Sequence, residues 1–432
     1  MQSRFKKILS IVLTVTTGLV MTLSLAGCGN SEDTAGKTVI TMLQYKQEAV
    51  DIFEQIQEDF NASHDDVYLK IESPSDATTI LKTRLIRGEE PDIIGFGGDV
   101  LYSEFVDANI LSDLTNYEGL SKVNPAYLDI LESLEYVPTD GVYGLPYVAN
   151  AAGVLYNKDM FEEHGWEIPT SWNEFLKLCD TIKSEGVQPL YFGFKDTWTC
   201  LAPWNAIAIQ LAPADVCYQV NNGQTTFSDE YAETADKIAA LLDYGEDGPF
   251  AYGYNDACLA FANGDSAMFT IGSYAIPQIK SSNPDMNIGS FVMPAADKES
   301  DLILNSGVDL QFAVTERCEN KDAAYEVLDF LIQDENVQKY IDAQNAVPCL
   351  TGDYKMAKEL DDMVPYIEAG RMADFQDHHY PTEMAVDAMI QTYLIDGDRG
   401  EFLSKFDSNW TRYNRDIIQK VKDYEAANAG SN

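Results

Sequence analysis

An α/β fold assembled from parallel βαβ units is what this sequence predicts, on three observations. Between Lys37 and Asp99, short β-branched runs alternate with segments of helical period, the pattern that lays parallel strands side by side. The 432 residues, 45% of them hydrophobic, suit two or three domains with a large core. No internal repeat or low-complexity spacer divides the chain, so its domains are expected to be joined by strands.

The elements follow in order. "TVITMLQY" reads as a β-branched strand. "QEAVDIFEQIQEDFNAS" carries Val50, Phe53, Ile56 and Phe60 near helical spacing and reads as an amphipathic helix. "VYLKIES" is the next strand, "TTILKTRLIRG" a helix stopped by Gly88, and "PDIIGFGG" a strand ending in glycines. In parallel sheets ligands bind beyond the carboxyl ends of the strands, which points to Gln44, Tyr45 and the stretch from Phe96 to Asp99. "GVYGLPYVANAAGVLYN" leads through a Gly/Pro turn into an alternating strand, followed by a short helix closed by Gly165. In "IPTSWNEFLKLCDTI", Thr170 or Ser171 is placed as N-cap with Glu174 completing a capping box, and Phe175, Leu178 and Ile182 form the buried stripe. "PLYFGF" reads as a strand, "YAETADKIAALLDYG" as a helix, and "ACLAFANGDSAMFTIGSYAI" as helix, turn, strand, turn. "FVMPA" and "LILNSGVDLQFAVT" are expected strands, the second interrupted at Ser306-Gly307. "KDAAYEVLDFLIQDENVQKYI" is a long helix, and the chain beyond Asp353 is mostly helical apart from "RMADFQDHHYPTE".

The N-terminus speaks to location. Arg4, Lys6 and Lys7 precede an uncharged, largely apolar run from Ile8 to Ala26, the layout of an export signal. An uncleaved membrane helix is the alternative, since the run is near spanning length. "LAGC" at Leu25 to Cys28 resembles a bacterial lipobox. The resemblance implies cleavage after residue 27, acylation of Cys28 as a lipid anchor, and a tether over 28–37. Removing the three basic residues takes the net charge from −41 to −44. So acidic a body is repelled by nucleic acid and anionic lipid, which excludes both as expected partners.

The other six cysteines (Cys179, Cys200, Cys217, Cys258, Cys318 and Cys349) are scattered, with no C-x-x-C and no companion histidines. Structural zinc needs close ligand pairs, so no metal site is expected and buried free thiols are the working assignment. Disulfides stay open for an exported chain.

At "YGLPYVANAAGVLYNKDMFEEHGWEIPTSWNEF" the chain closely resembles the family 1 extracellular solute-binding proteins, the receptors of bacterial ABC importers. "PDIIGFGGD", "AFANGDSAMFTIGSYAI", and "KDAAYEVLDFLIQDE" followed by "AVPCL" add landmarks in the family's order. The resemblance implies a two-lobed periplasmic-binding-protein-like fold of type II, with ligand held between discontinuous lobes. These are residues 38–148 with 310–350 and residues 151–306 with 351–432, joined by hinge crossovers near 149–151 and 306–309. Ser306-Gly307 then reads as a hinge that absorbs backbone rotation, against the plainer reading of a bulge.

Well-known members of the family bind sugars, and a pyranose offers a C–H-rich face with a rim of hydroxyls. It therefore calls for flat aromatic surface plus fixed polar groups. Tyr and Trp supply the surface with little side-chain entropy to lose, and this chain has 24 Tyr. Carried over by position, Tyr274 in "GSYAI" takes the family's stacking place, and Trp198 a second one in the turn after "PLYFGF". Phe96 falls at a first-lobe aromatic and Asp99 at a hydroxyl-binding carboxylate. Tyr147, Tyr45, Gln44, Asp309 and Gln311 complete the expected ligand contacts. For each, a place in the core or on the cleft rim without ligand contact is the competing assignment. Trp204, six residues beyond Trp198, shares a helical stripe with Leu201, Ile207, Ala208 and Leu211 and reads as core.

Enzymatic motifs are lacking: the sequence has no H-E-x-x-H, no G-x-S-x-G elbow and no Walker A loop. "IDGDRGE" misses the ligand order of a calcium loop, and His378-His379 reads as a solvated polar turn. The expectation is a monomeric sugar or oligosaccharide receptor, without cofactor, that docks on the membrane subunits of an ABC importer and their ATPase. A surface-anchored glycosidase, which needs a carboxylate pair in an aromatic cleft, and a receptor for a non-sugar molecule are the rival expectations.

Overall fold

The computed structural model describes residue 34 and residues 36–429. The expected leader, its cleavage site and Cys28 lie outside the described residues.

Eleven strands are described: β1 Thr38–Gln44, β2 Val67–Glu72, β3 Ile93–Phe96, β4 Leu145–Ala149, β5 Val154–Asn157, β6 Met268–Phe269, β7 Ile288–Phe291, β8 Leu304–Asn305, β9 Val308–Val314, β10 Val347–Pro348 and β11 Met372–Ala373. Six of them form one sheet in the order β10-β4-β9-β3-β1-β2. The expected parallel units hold where β1 pairs with β2 and β3. β9, however, runs antiparallel to both β3 and β4. It enters this sheet from the other lobe, so its direction is set by the crossover rather than by a βαβ turn. Helix Val50–Ser63 covers the sheet through Ile52, Phe53, Ile56 and Phe60, and helix Ala77–Arg87 stops at Gly88, whose φ of 69° suits glycine.

The second lobe is built on a three-stranded sheet, β6-β5-β7, with a small β11-β8 pair beside it. Helix Trp172–Ser184 starts as its sequence predicts: Ser171 caps it by accepting from the Glu174 backbone N–H, while the Glu174 carboxylate accepts from the N–H and hydroxyl of Thr170. Trp204 is fully buried on helix Leu201–Leu211, edge-on to Tyr231 and Phe402 at 5.3 and 5.6 Å. The six described cysteines are unpaired; five are buried and Cys217 is half-buried.

Two expected strands are not formed as read. β7 ends at Phe291, so Val292 to Ala295 continue as buried irregular chain containing Pro294, which has no N–H for a ladder. In "PLYFGF" only Leu190 makes a bridge, to Met268. The N–H of Phe192 goes instead to the Glu246 carboxylate and that of Lys195 to the Tyr252 carbonyl.

The chain passes between the lobes from β4 to β5 and from β8 to β9. These crossovers lie side by side: the N–H of Asn150 bonds the Gly307 carbonyl at 3.1 Å, and that of Ala152 bonds the Asn305 carbonyl at 2.8 Å. The Ser306 hydroxyl bonds the Asn150 carbonyl at 2.7 Å and lies 3.0 Å from the Tyr127 hydroxyl. A third passage follows β10, and Glu359 reaches the second lobe, where its carbonyl accepts from Ser290.

Candidate functional site

The first lobe presents a fixed polar group where β1 and β9 meet the cleft. Asp309 is held on three sides: Lys46 Nζ lies 2.8 Å from one carboxylate oxygen, Asn150 Nδ2 lies 2.9 Å from the other, and the Tyr45 hydroxyl donates to the Asp309 carbonyl. Burial alone would lower the Lys46 pKa; the charge and hydrogen bond of Asp309 outweigh it and raise the pKa, so the ammonium stays charged. Asp99 caps helix Val100–Asp107 by accepting from the Leu101 N–H at 2.8 Å. Gly98 before it is a steric requirement, because a Cβ there would meet Val308 at 2.9 Å, while one at Gly97 would press on the Tyr45 hydroxyl at 3.3 Å.

The second lobe carries a group of rings around Trp198. Trp198 is 40% exposed. Its ring centroid lies 5.0 Å from that of Tyr254 and 6.1 Å from that of Tyr274. The spacing is that of ordinary aromatic pairs; what sets Trp198 apart from the core rings is its exposure. The Asp196 carboxylate fixes the arrangement by accepting from the Tyr254 N–H at 2.7 Å, and Thr197 is hydrogen-bonded to Asp387.

Residues 374–378 form the floor. His378 Nδ1 lies 2.8 Å from Asp374 Oδ1, and Asn205 donates to Asp377 at 2.6 Å. Burial would lower the His378 pKa, but Asp374, Asp377 and Asp99 push it up to about 10. Asp99 and Asp377 are raised by burial and partly restrained by the imidazolium. These groups bound a cavity of about 330 Å³ whose lining includes Asp99 and Val100 from one lobe and Leu201, Asp377, His378 and Asp387 from the other. That volume falls at the small end of ligand pockets, roughly 300–1,000 Å³. A larger cavity of about 520 Å³ lies where Gln376 and His379 meet Glu132, Glu135 and Tyr218. It contains none of the expected contacts, whereas the smaller one includes Asp99.

The structure brings Trp198 and Tyr274 together in one ring group on the second lobe, bonds Tyr45 to Asp309 on the first, and of the five places only Asp99 at the cavity. Four expected contacts are corrected. Tyr147 is fully buried among Phe312 and Tyr340 at 5.1 and 5.3 Å. Every residue of β4 is buried, so alternation along it gives no cleft-facing side. Phe96 is core, packed on Tyr102 and Phe105. Gln44 turns inward, donating to Ser73 Oγ at 2.7 Å and to the Lys46 carbonyl at 3.0 Å. Gln311, also fully buried, donates to the Gly97 carbonyl at 3.1 Å and so supports the cleft loop from behind. Tyr254 beside Trp198, Lys46 and Asn150 on Asp309, Asp377 at the cavity and Asp387 on Thr197 are neighbours that the sequence did not point to. The exposed turn expected at His378-His379 is a half-buried, charge-paired floor instead.

Comparison with known proteins follows this geometry. The model of the bacterial extracellular solute-binding protein family matches residues 46–338. A multiple sugar-binding protein of Streptococcus mutans is 29% identical over 345 residues, covering 76% of this chain and 80% of that protein. A melibiose/raffinose/stachyose-binding protein of Bacillus subtilis is 23% identical over 242 residues, 53% of each. Among solved structures, apo RafE of Streptococcus pneumoniae superposes with a TM-score of 0.77 at 24% identity, covering 91% of this chain and all of that one. RafE in complex with raffinose gives 0.72 at 24% identity, covering 89% and 100%.

Proposed function

The chain belongs to the bacterial extracellular solute-binding proteins, and we propose that it is the lipid-anchored, substrate-binding subunit of an ABC importer for a sugar or oligosaccharide. One observation carries this reading: Trp198, exposed, is grouped with the half-buried Tyr254 and Tyr274, and the segment that carries Tyr274 is bonded through Ser273 to Ala151, the neighbour of the Asn150 that holds the Asp309 carboxylate together with Lys46. Rings receive the C–H face of a pyranose, and pre-positioned carboxylates receive its hydroxyls without an ordering cost at the moment of binding.

The lobes, residues 38–148 with 310–350 and residues 151–306 with 351–432, turn about 149–151 and 306–309. Ligand bridging the cleft favours the closed arrangement because that state binds it better. The protein acts as a monomer at the outer face of the cell membrane, anchored through Cys28, and its closed form docks on the importer's membrane subunits, whose ATPase supplies the work. In support, no helix among the described residues is long and apolar enough to cross a membrane.

A hydrolase reading has one feature in its favour, since Asp99 and Asp377 border one cavity and burial raises the pKa of both. Calorimetry and thermal-shift titration with mono- and oligosaccharides, alongside an assay for new reducing ends, separate the two. Binding that raises Tm without cleavage is expected, whereas turnover would overturn the receptor reading.

A further inference from the structure

We propose that Tyr191 and Tyr252 form an outer sugar subsite on the second lobe, taking units of an oligosaccharide that project beyond the cleft. The proposal rests on the sugar-receptor reading and extends it to the length of the ligand.

Two segments are cross-tied here. Gly193 lies against the backbone of Gly253 and Tyr254, so that a Cβ there would fall 3.0 Å from the Tyr254 backbone N and Cα. The Lys195 N–H bonds the Tyr252 carbonyl at 3.0 Å, and Asp196 takes the Tyr254 N–H at 2.7 Å. Along this seam the rings meet in successive pairs: Tyr191 with Tyr252 at 5.8 Å, then Trp198 with Tyr254 at 5.0 Å. Gly253 is extended, with φ −95° and ψ −178°. Tyr252 and Tyr254 flank it on either side. Two residues span at most about 7 Å of chain, so the outer pair sits next along the seam to the pair of Trp198 and Tyr254. A Cβ at residue 253 would lie 2.6 Å from the Asp196 carboxylate, which makes glycine the residue that keeps the two pairs in line.

The outer pair is open to solvent. Tyr252 is 39% exposed and Tyr191 half-buried. Two rings offer far less than the roughly 1,000 Å² that a specific protein interface buries, but they suit the face of a single pyranose, with phenolic hydroxyls for its rim. Both residues sit on one lobe. Their contacts are then equal in the open and closed states, so they add affinity without driving closure.

The test is calorimetry of the wild-type protein with α-galactosides, α-glucosides and β-xylosides graded from two units to five, repeated with Tyr252→Ala, Tyr191→Ala and Trp198→Ala. In the series that binds, Tyr252→Ala and Tyr191→Ala are expected to lower affinity for the longest members roughly 5- to 100-fold, as loss of a stacking ring does. The shortest members should be unaffected, and Tyr252→Phe, which keeps the ring and loses only its hydroxyl, should lose far less affinity for the longest members than Tyr252→Ala. Scattering-detected closure at saturating ligand should also be unchanged. If Trp198→Ala weakens every length while both outer variants bind all lengths normally, the outer subsite is overturned and the receptor reading stands. If the wild type binds no member of any series, the receptor reading falls and the subsite with it.

Discussion

His378 and Asp374 form the central ion pair of the cleft floor, with Nδ1 and Oδ1 2.8 Å apart, and the carboxylate side chain is 4% exposed. Burial would lower the imidazole pKa, yet Asp374 and the nearby Asp377 and Asp99 raise it from 6.5 to about 10. The native state therefore holds a proton that the unfolded chain releases between those values. Its stabilising contribution is complete below pH 6.5 and is lost as pH rises through about 10. Removing the cation strands buried carboxylates, so His378→Gln is expected to cost roughly 2–3 kcal/mol near neutral pH. Thermal melts across this window should show Tm falling in the wild type and a flatter, lower profile in the variant. Parallel profiles would remove His378 as the cause.

The same floor rests on the crossover. A Cβ at Gly307 would lie 2.1 Å from Asp374 Oδ1, 2.8 Å from the Phe375 ring and 3.0 Å from His378 Cε1. Gly307→Ala must push the floor away, at about 1–3 kcal/mol for overpacking. Ligand affinity should fall as well, because Asp377 and His378 are displaced from the cavity they line. Chemical denaturation and calorimetry on one preparation check both, and an unperturbed Tm would show that the floor yields freely.

Trp198→Ala, Tyr254→Ala and Tyr274→Ala are each expected to weaken binding of the best sugar by roughly 1–3 kcal/mol. Tyr147→Phe provides the contrast. Its hydroxyl makes one long bond, 3.3 Å to the Asn336 carbonyl inside the first-lobe core. The substitution should change stability by about 1 kcal/mol and leave affinity untouched. Binding lost in Tyr147→Phe but kept in Trp198→Ala would mean that the cleft has been assigned to the wrong surface.

These residues also show what the sequence discloses. Trp204 and Trp198 could be told apart because helical period is local: one sits on an apolar stripe, the other precedes it. The same logic read the capping of helix Trp172–Ser184. Tyr147, Phe96, Gln44 and Gln311 stand at strand positions buried on every side, where no alternation separates a cleft face from a core face. His378 was illegible for another reason. Its charge partners Asp374 and Asp377 are near in the chain, but the packing that buries the pair brings in Asp99 and Gly307 from far away, and without it these polar neighbours look like a solvated turn. Tyr254 sits beside Trp198 only because Asp196 anchors the start of its helix, a contact that spacing does not encode.

Glu246 offers a last measurement, on the segment that carries Tyr252 and Tyr254. One carboxylate oxygen accepts from the Phe192 N–H at 2.9 Å, while the other is buried without a partner. Burial raises its pKa from 4.5 to about 7. Here the native state binds more protons than the unfolded chain between those values, so the contribution of Glu246 to stability declines as pH rises through the window and is level above it. Glu246→Gln keeps an acceptor for Phe192 and removes the charge that burial opposes. Solvent reaches part of this side chain, so the gain expected above neutral pH is discounted to about 1–2 kcal/mol, vanishing near pH 4.5. Because the segment is tied to Lys195 and Asp196, ionisation of Glu246 should also loosen the aromatic wall. Sugar affinity of the wild type is then expected to decline between pH 6 and 8 while that of the variant stays level. Equal pH profiles for the two proteins would detach Glu246 from the binding wall, whatever its effect on Tm.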